Sequence, residues 1–350
     1  MLVLRLNFKL MKNLFLYSFV ILYLFSCSKG QPDIVNLYTQ RHYKVDEVQY
    51  KKFTEMTGIK VNWIKSNADE LIERLKNEGN KSPADIFISV DAGKLQKAAS
   101  LNLLQKLPSE IKTENIQNQL LDKNNFWAPL TYRSRILVYS NERVNKSDLN
   151  TYESLADEKW KNRILVRSSS NAYNQALMAS IIANNGIEKA RNWSQEIVAN
   201  LARSPKGNDR DQVKAIYSGL GDVAIVNSYY IGLLLSSEKE EERKAGESVS
   251  VFFPNQDENQ RGTHVNISGV AITKNSPNKE NAVRLINYLL SEDAQKTYVN
   301  NSYEYSVNKN VKPSKIVQDW GEFKIDNLDL NSLGVYREDA VNIFDETGWK

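Results

Sequence analysis

Cysteine is nearly absent from this chain: there is one in 350 residues, Cys27. A single thiol makes no internal disulfide and no thiolate cage for zinc or an iron–sulfur cluster. The rest of the chain must therefore hold together by packing, and more than 300 residues can build the core for that. Histidine is scarce as well, with His42 and His264 alone. A zinc or copper centre would recruit more imidazole and thiolate than the chain offers. Also missing are Gly-x-Ser-x-Gly, the Walker A pattern, Gly-x-Gly-x-x-Gly and Cys-x-x-Cys, the sequence marks of several hydrolase, nucleotide-binding and thiol-redox enzymes. There is no internal repeat and no low-complexity tract.

The charge balance excludes another class of partner. Residues 1–26 carry only Arg5, Lys9 and Lys12, followed by an apolar run from Leu14 to Phe25. That run is too short to span a bilayer and has the length of a signal-peptide hydrophobic region, so residues 1–26 read as an export leader. Its end, Leu24-Phe25-Ser26-Cys27, is similar to a bacterial lipobox, in which cleavage leaves Cys27 as the lipid-bearing first residue and 27–32 as an anchored linker. Met11-Lys12-Asn13 also reads as a natural start, with residues 1–10 upstream of it. Without the leader, 46 basic and 42 acidic residues become 43 and 42. No basic excess remains to neutralise phosphates, so nucleic acid is excluded as a partner.

From residue 33 onward, short β-branched runs alternate with helical periodicity, the pattern of an α/β fold. Ile34–Leu37, Ile59–Trp63, Asp85–Val90, Ile136–Tyr139, Ile164–Val166, Val223–Val226 and Gly269–Thr273 read as strands. Asp46–Met56, Ala68–Asn77, Asp91–Leu101, Ile187–Leu201, Gln212–Tyr217 and Ala282–Leu290 read as helices. Three strand ends carry tyrosine. Val223–Val226 runs into Asn227-Ser228-Tyr229-Tyr230, with Asn227 or Ser228 as the N-cap of the next helix; Ile34–Leu37 runs into Arg41-His42-Tyr43; Ile164–Val166 leads to Tyr173. Ligands in open α/β sheets bind outside the carboxyl ends of strands. Two adjacent tyrosines most often mean ordinary packing; three such clusters at strand ends point to a phenol-lined site. His264 reads as a surface or core histidine, and Asp209 with Asp211 as a charge network with Arg203 and Arg210.

Arg-His-Tyr near the start, Ser-x-x-x-Tyr in mid-chain and Asn-Ser-Tyr-Tyr-x-Gly later, in this order, resemble the ferric-iron-binding substrate-binding proteins of ABC importers, in the subgroup using one His and four Tyr. Pro83–Phe87 and Ala202–Gln212 share in the likeness, which covers about 33–350. It implies a two-lobed type II periplasmic-binding-protein fold with a hinge of two crossover segments. The first lobe is 33–130 plus 254–304 and the second 131–253 plus 305–350, with one crossing near Thr131. It also implies Fe(III) as cargo, His42, Tyr43, Tyr173, Tyr229 and Tyr230 as ligands, and an ABC permease as partner. Further implications are a monomer and an exported, periplasmic or cell-surface lipoprotein rather than an enzyme. Some relatives complete the iron shell with carbonate or another small anion, for which Arg41 and Arg133 are candidate partners, with Arg203 a candidate supporting group. Fe(III) is a hard cation that prefers anionic oxygen, and coordination removes a phenol's proton. The competing reading is a binder of a polyamine, thiamine or phosphonate with the tyrosines as an aromatic cage.

Overall fold

The computed structural model describes residues 33–350; the leader, Cys27 and the linker lie outside them. Nine strands are ordered around one long one. The strands are β1 Ile34–Thr39, β2 Lys60–Lys65, β3 Ile86–Ser89, β4 Trp127–Ser140, β5 Ile164–Leu165, β6 Val223–Asn227, β7 Val249–Phe252, β8 Val265–Ile272 and β9 Tyr305–Ser306. In the path β2-β1-β3-β8-β4-β6-β5, the pairs β1–β2, β1–β3 and β5–β6 are parallel and the rest antiparallel. β7 and β9 add to β4.

Strand β4 joins two sheets. Its first half, Trp127 to Ser134, pairs with β8, while Arg135 to Tyr139 pair with β6 and Leu137 to Ser140 with β7. Partners are exchanged between Ser134 and Arg135, a few residues past Thr131. Thr131 and Tyr132 instead carry β9 on their free side, after a bulge at Pro129. Proline donates no ladder hydrogen bond, and bulges are where strands tolerate it. Alternation of side chains then puts Ile136 and Val138, with Ala224 and Val226, in one core cluster, and Leu137 and Tyr139, with Val223 and Ile225, in the other. Both faces of the second sheet are thereby covered, as buried apolar runs require.

Helices cap these faces with local chemistry that the sequence carries. Lys44–Thr57 stops at Gly58 in the left-handed conformation, with φ 74°, a common helix C-terminus. Ala68–Glu78 starts on Asn67, whose side chain accepts from the Glu70 N–H. Asp209–Tyr217 starts three residues earlier than the apolar pattern suggests, because Asn208 and Asp211 close a capping box. Tyr229–Leu235 starts without a side-chain cap: Ser228 occupies the position, but its hydroxyl lies on the Ser134 N–H of β4, so neither Asn227 nor Ser228 caps as expected.

The chain crosses between sheets three times. After β4, the 253–265 segment returns to β8, and the Arg135 N–H donates to the His264 carbonyl. After β9 the chain passes Val317, Trp320 and Phe323 to the bridge Thr263–Ile325. Short helix Ser332–Val335 then packs on both Ala92–Ser100 and Ala172–Asn185. The approach is close: a Cβ on Gly93 would sit 2.8 Å from the Leu333 carbonyl oxygen, and one on Gly334 2.9 Å from that of Gly93. Arg337, in the last helix Arg337–Thr347, spans the same seam, donating to Asp91 of the first lobe and to Gln175 of the second.

Candidate metal centre

The strand ends deliver their tyrosines to one place. β1 ends at Thr39, and His42 and Tyr43 follow on the turn into the first helix. Tyr173 is the second residue of the helix that follows β5, where Asn171 caps through the Tyr173 N–H. Tyr229 and Tyr230 open the helix after β6. The Tyr173 hydroxyl lies 3.4 Å from that of Tyr229. The Tyr43 ring meets Tyr229 edge-on at 6.4 Å, and the rings of Tyr229 and Tyr230 are 4.2 Å apart. His42 is exposed at the rim, its ring 5.0 Å from that of Tyr43. The structure thus brings the four tyrosines together, Tyr43 from the end of β1 meeting Tyr229 from the end of β6, while His42 touches only its own turn, at Tyr43 and the Gln40 carbonyl.

Burial makes the phenols hard to ionise on their own. Tyr43 is raised well above the ordinary value of 10 by burial first, then by Glu304 and Tyr173. Tyr229 is raised well above it by burial and by Tyr173, Tyr43 and Tyr230 around it. Tyr230 is pushed up to about 12 by burial, Tyr173 and Asp209. Without a cation Tyr43, Tyr229 and Tyr230 hold their protons, and the Tyr173 and Tyr229 hydroxyls lie against each other. A multivalent cation reverses that balance by displacing the protons. Among the described residues no cluster of three or more His, Cys, Asp or Glu is placed to hold a metal.

Arginines lie over the ring faces. The Arg41 guanidinium carbon is 4.9 Å from the Tyr43 centroid, Arg133 and Arg167 are 5.3 and 5.7 Å from that of Tyr173, and Arg210 is 6.0 Å from that of Tyr230. Arg41, 1% exposed, is paired with Asp46 at 2.8 Å and Glu304 at 3.2 Å and also donates to Thr131. It therefore anchors the turn that carries His42 and Tyr43. Arg133 is buried and donates to the Val90 carbonyl. Arg203 donates to Gln212, on the helix packed behind β6.

Asp209 organises the second lobe's side of the site, with partners other than those expected. It pairs with Arg135 at 2.6 Å and Arg167 at 3.2 Å, and accepts from the Asn227 N–H at 2.8 Å. Asp211 serves the helix cap at Asn208, and neither carboxylate forms an ion pair with Arg203 or Arg210 among the described residues. Pairing Asp209 with Arg135 inside β4 and Arg167 just past β5, and with the Asn227 N–H at the end of β6, ties three strands together next to Tyr229. Glu304, Arg135 and Arg167 carried no motif, although Arg167 follows β5 as Tyr43 follows β1. His264 is buried, and desolvation together with Arg133, Arg135 and Arg261 holds it down to about 3, hence neutral.

Residues 49–325 match the family model described as bacterial extracellular solute-binding protein. The chain is 45% identical to iron uptake protein A1 of Synechocystis over 321 residues, covering 92% of this chain and 89% of that protein. It superposes on a Trichodesmium FutA in complex with iron and citrate with a TM-score of 0.86 and 43% identity, covering 91% of this chain and all of that one. A 2-aminoethylphosphonate-binding periplasmic protein of Salmonella typhi is more distant, 25% identical over 77% of this chain and 75% of its own.

Proposed function

Because the chain belongs to the bacterial extracellular solute-binding proteins, among the iron uptake and ferric-iron-binding proteins, we propose that it captures Fe(III) between its lobes for an ABC permease. Its fold is the two-lobed type II architecture of that group. The ligands are His42, Tyr43, Tyr173, Tyr229 and Tyr230. The observation that carries this reading is the contact of the Tyr173 and Tyr229 hydroxyls at 3.4 Å, with the Tyr43 ring, from the other lobe, edge-on to Tyr229 at 6.4 Å.

Four phenolates around a trivalent ion leave one net negative charge, and the guanidinium groups over Tyr43, Tyr173 and Tyr230 lie where that excess develops. With five protein ligands, one octahedral position remains for water or a small anion such as carbonate. Closure follows from differential affinity, since only the closed state assembles ligands of both lobes. The lobes are residues 33–130 plus 254–304 and 131–253 plus 305–350. The protein acts as a monomeric binder rather than an enzyme, exported and tethered through a lipid on Cys27.

The aromatic-cage alternative needs open ring faces for an organic cation. Three of the four tyrosines already carry a guanidinium there, which disfavours a polyamine or thiamine. Titration with Fe(III) tests the proposal. A visible phenolate-to-iron charge-transfer band that bleaches with dithionite is expected, and its absence refutes the iron site. Tyr229→Phe with Tyr230→Phe keeps the rings and removes two donors; a folded, nearly iron-free protein is expected, and wild-type affinity contradicts the ligand set.

A further inference from the structure

Behind Tyr173, at the junction of the two sheets, lies a small cavity that the iron reading does not use. It is lined by Arg133, Arg135, Asn227, His264 and Asn266 with Tyr173 and Ala176, and measures about 10 Å³, close to the room one water-sized sphere needs. Its five polar side chains other than Tyr173 are no more than 5% exposed. Most of their hydrogen-bonding capacity is spent. Arg133 donates to the Val90 carbonyl, Arg135 to Asp209, Asn227 and Asn174, and Asn227 accepts from Arg135.

Three donors among the lining residues have no protein partner: Arg133 Nη1, Arg135 Nε and Asn227 Nδ2. The charges do not balance either. Arg135 and Arg167 share the single carboxylate of Asp209, and Asp91 is taken by Arg337. Arg133 forms no ion pair among the described residues, although a buried guanidinium is normally paired. A water molecule accepts only two hydrogen bonds, which leaves one of the three donors without a partner. A spherical anion accepts from all three and offsets the unpaired charge.

We propose that this cavity binds one monatomic anion of the halide class, such as chloride, coordinated by Arg133 Nη1, Arg135 Nε and Asn227 Nδ2. Carbonate, with four heavy atoms, exceeds the space, so the site is distinct from any anion completing an iron shell. The halide fastens the β4 junction to the end of β6, directly below Tyr173 and two residues before Tyr229. It does not depend on iron being the cargo.

Two measurements on the wild-type protein and one on a variant decide it. Crystals grown in sodium bromide and measured at the bromine absorption edge give an anomalous peak bounded by the three nitrogens. Ordinary water density there without anomalous signal overturns the proposal. In solution, the thermal unfolding midpoint is higher in sodium chloride than in sodium gluconate at equal ionic strength, because an ion that binds only the native state stabilises it. Equal midpoints also overturn it, since a bromide peak would then record occupancy at crystal concentration only. Asn227→Asp places a fixed negative charge in the cavity, so the chloride dependence and the bromide peak disappear. A chloride dependence that persists in that variant places the anion elsewhere and refutes the assignment. If the variant fails to fold, the wild-type pair of readouts suffices.

Discussion

Loading Fe(III) onto this site expels protons, in a number that can be counted. Tyr230, pushed up to about 12, lies about five units above neutral pH. At about 1.4 kcal/mol per unit, ionising it at pH 7 costs roughly 7 kcal/mol. Tyr43 and Tyr229 are raised well above 10 by burial and by their neighbours, so each costs more than the roughly 4 kcal/mol of an ordinary phenol at that pH. Only bonds to a highly charged cation repay such costs, and the protons leave as the bonds form. The sign follows directly. The free phenols are protonated across the physiological range, so acid competes with iron and affinity falls as pH falls. With four phenolates, log K changes by about four per pH unit. The assay is a pH-stat titration of weakly buffered protein with ferric citrate, with a correction for iron leaving citrate. About four equivalents of base per iron are expected. A release near zero refutes the phenolate centre, because carboxylates and a neutral histidine have no proton to give up at pH 7.

Three further outcomes follow from packing and burial. In Gly232→Ala the new Cβ would meet the Tyr303 ring and Cβ at 2.4 to 2.8 Å, a backbone-adjacent overlap expected to cost about 1–3 kcal/mol; an unchanged urea midpoint contradicts it. Glu304→Gln leaves the buried Arg41 one carboxylate short, with a cost on the order of 3–5 kcal/mol. A loss below that expected of an exposed pair such as Lys51–Glu55 would show that the pair is not buried in effect. His264 is held down to about 3 in the fold against about 6.5 when unfolded. Its neutral form contributes fully above pH 6.5, and stability is lost as pH falls toward 3, by about 1.4 kcal/mol per unit. His264→Asn should flatten the wild-type slope between pH 4.5 and 6.5, and parallel curves would refute this.

Much of the fold was legible because its strands are short, β-branched and bounded by turn residues. The predicted runs at Ile34, Asp85, Val223 and Gly269 all coincide with strands, within a few residues at their ends. Strand β4 was read only from Ile136, for a physical reason. Pro129 mimics a strand end, and the buried polar run Arg133-Ser134-Arg135 hides the period where the strand passes between sheets. Helix Asp209–Tyr217 was trimmed because its first turn is polar and its cap is a side-chain arrangement. The final helix Arg337–Thr347 went unread, although Ala340, Ile343 and Phe344 carry its buried stripe and Gly348 its stop. At the site, the tyrosines were visible as motifs at strand ends. Glu304 and the ion pairs of Asp209 were not, because they join segments far apart in the chain, and no local pattern encodes such a meeting.

Because β4 is laced into ladders on either side of Ser134 and Arg135, sliding is forbidden to the two halves: a slip of one residue would turn every side chain on that strand to the wrong face. Torsion at a few peptide units is the remaining degree of freedom, so the molecule works as a flexure rather than as jaws on a rail. On such an arc His42 and Tyr43 swing away as one rigid unit. On the proposed ligand set, unloading is then a single angular event in which the cargo loses both donors at once, and a partner that twists the halves apart needs no grip on the metal itself.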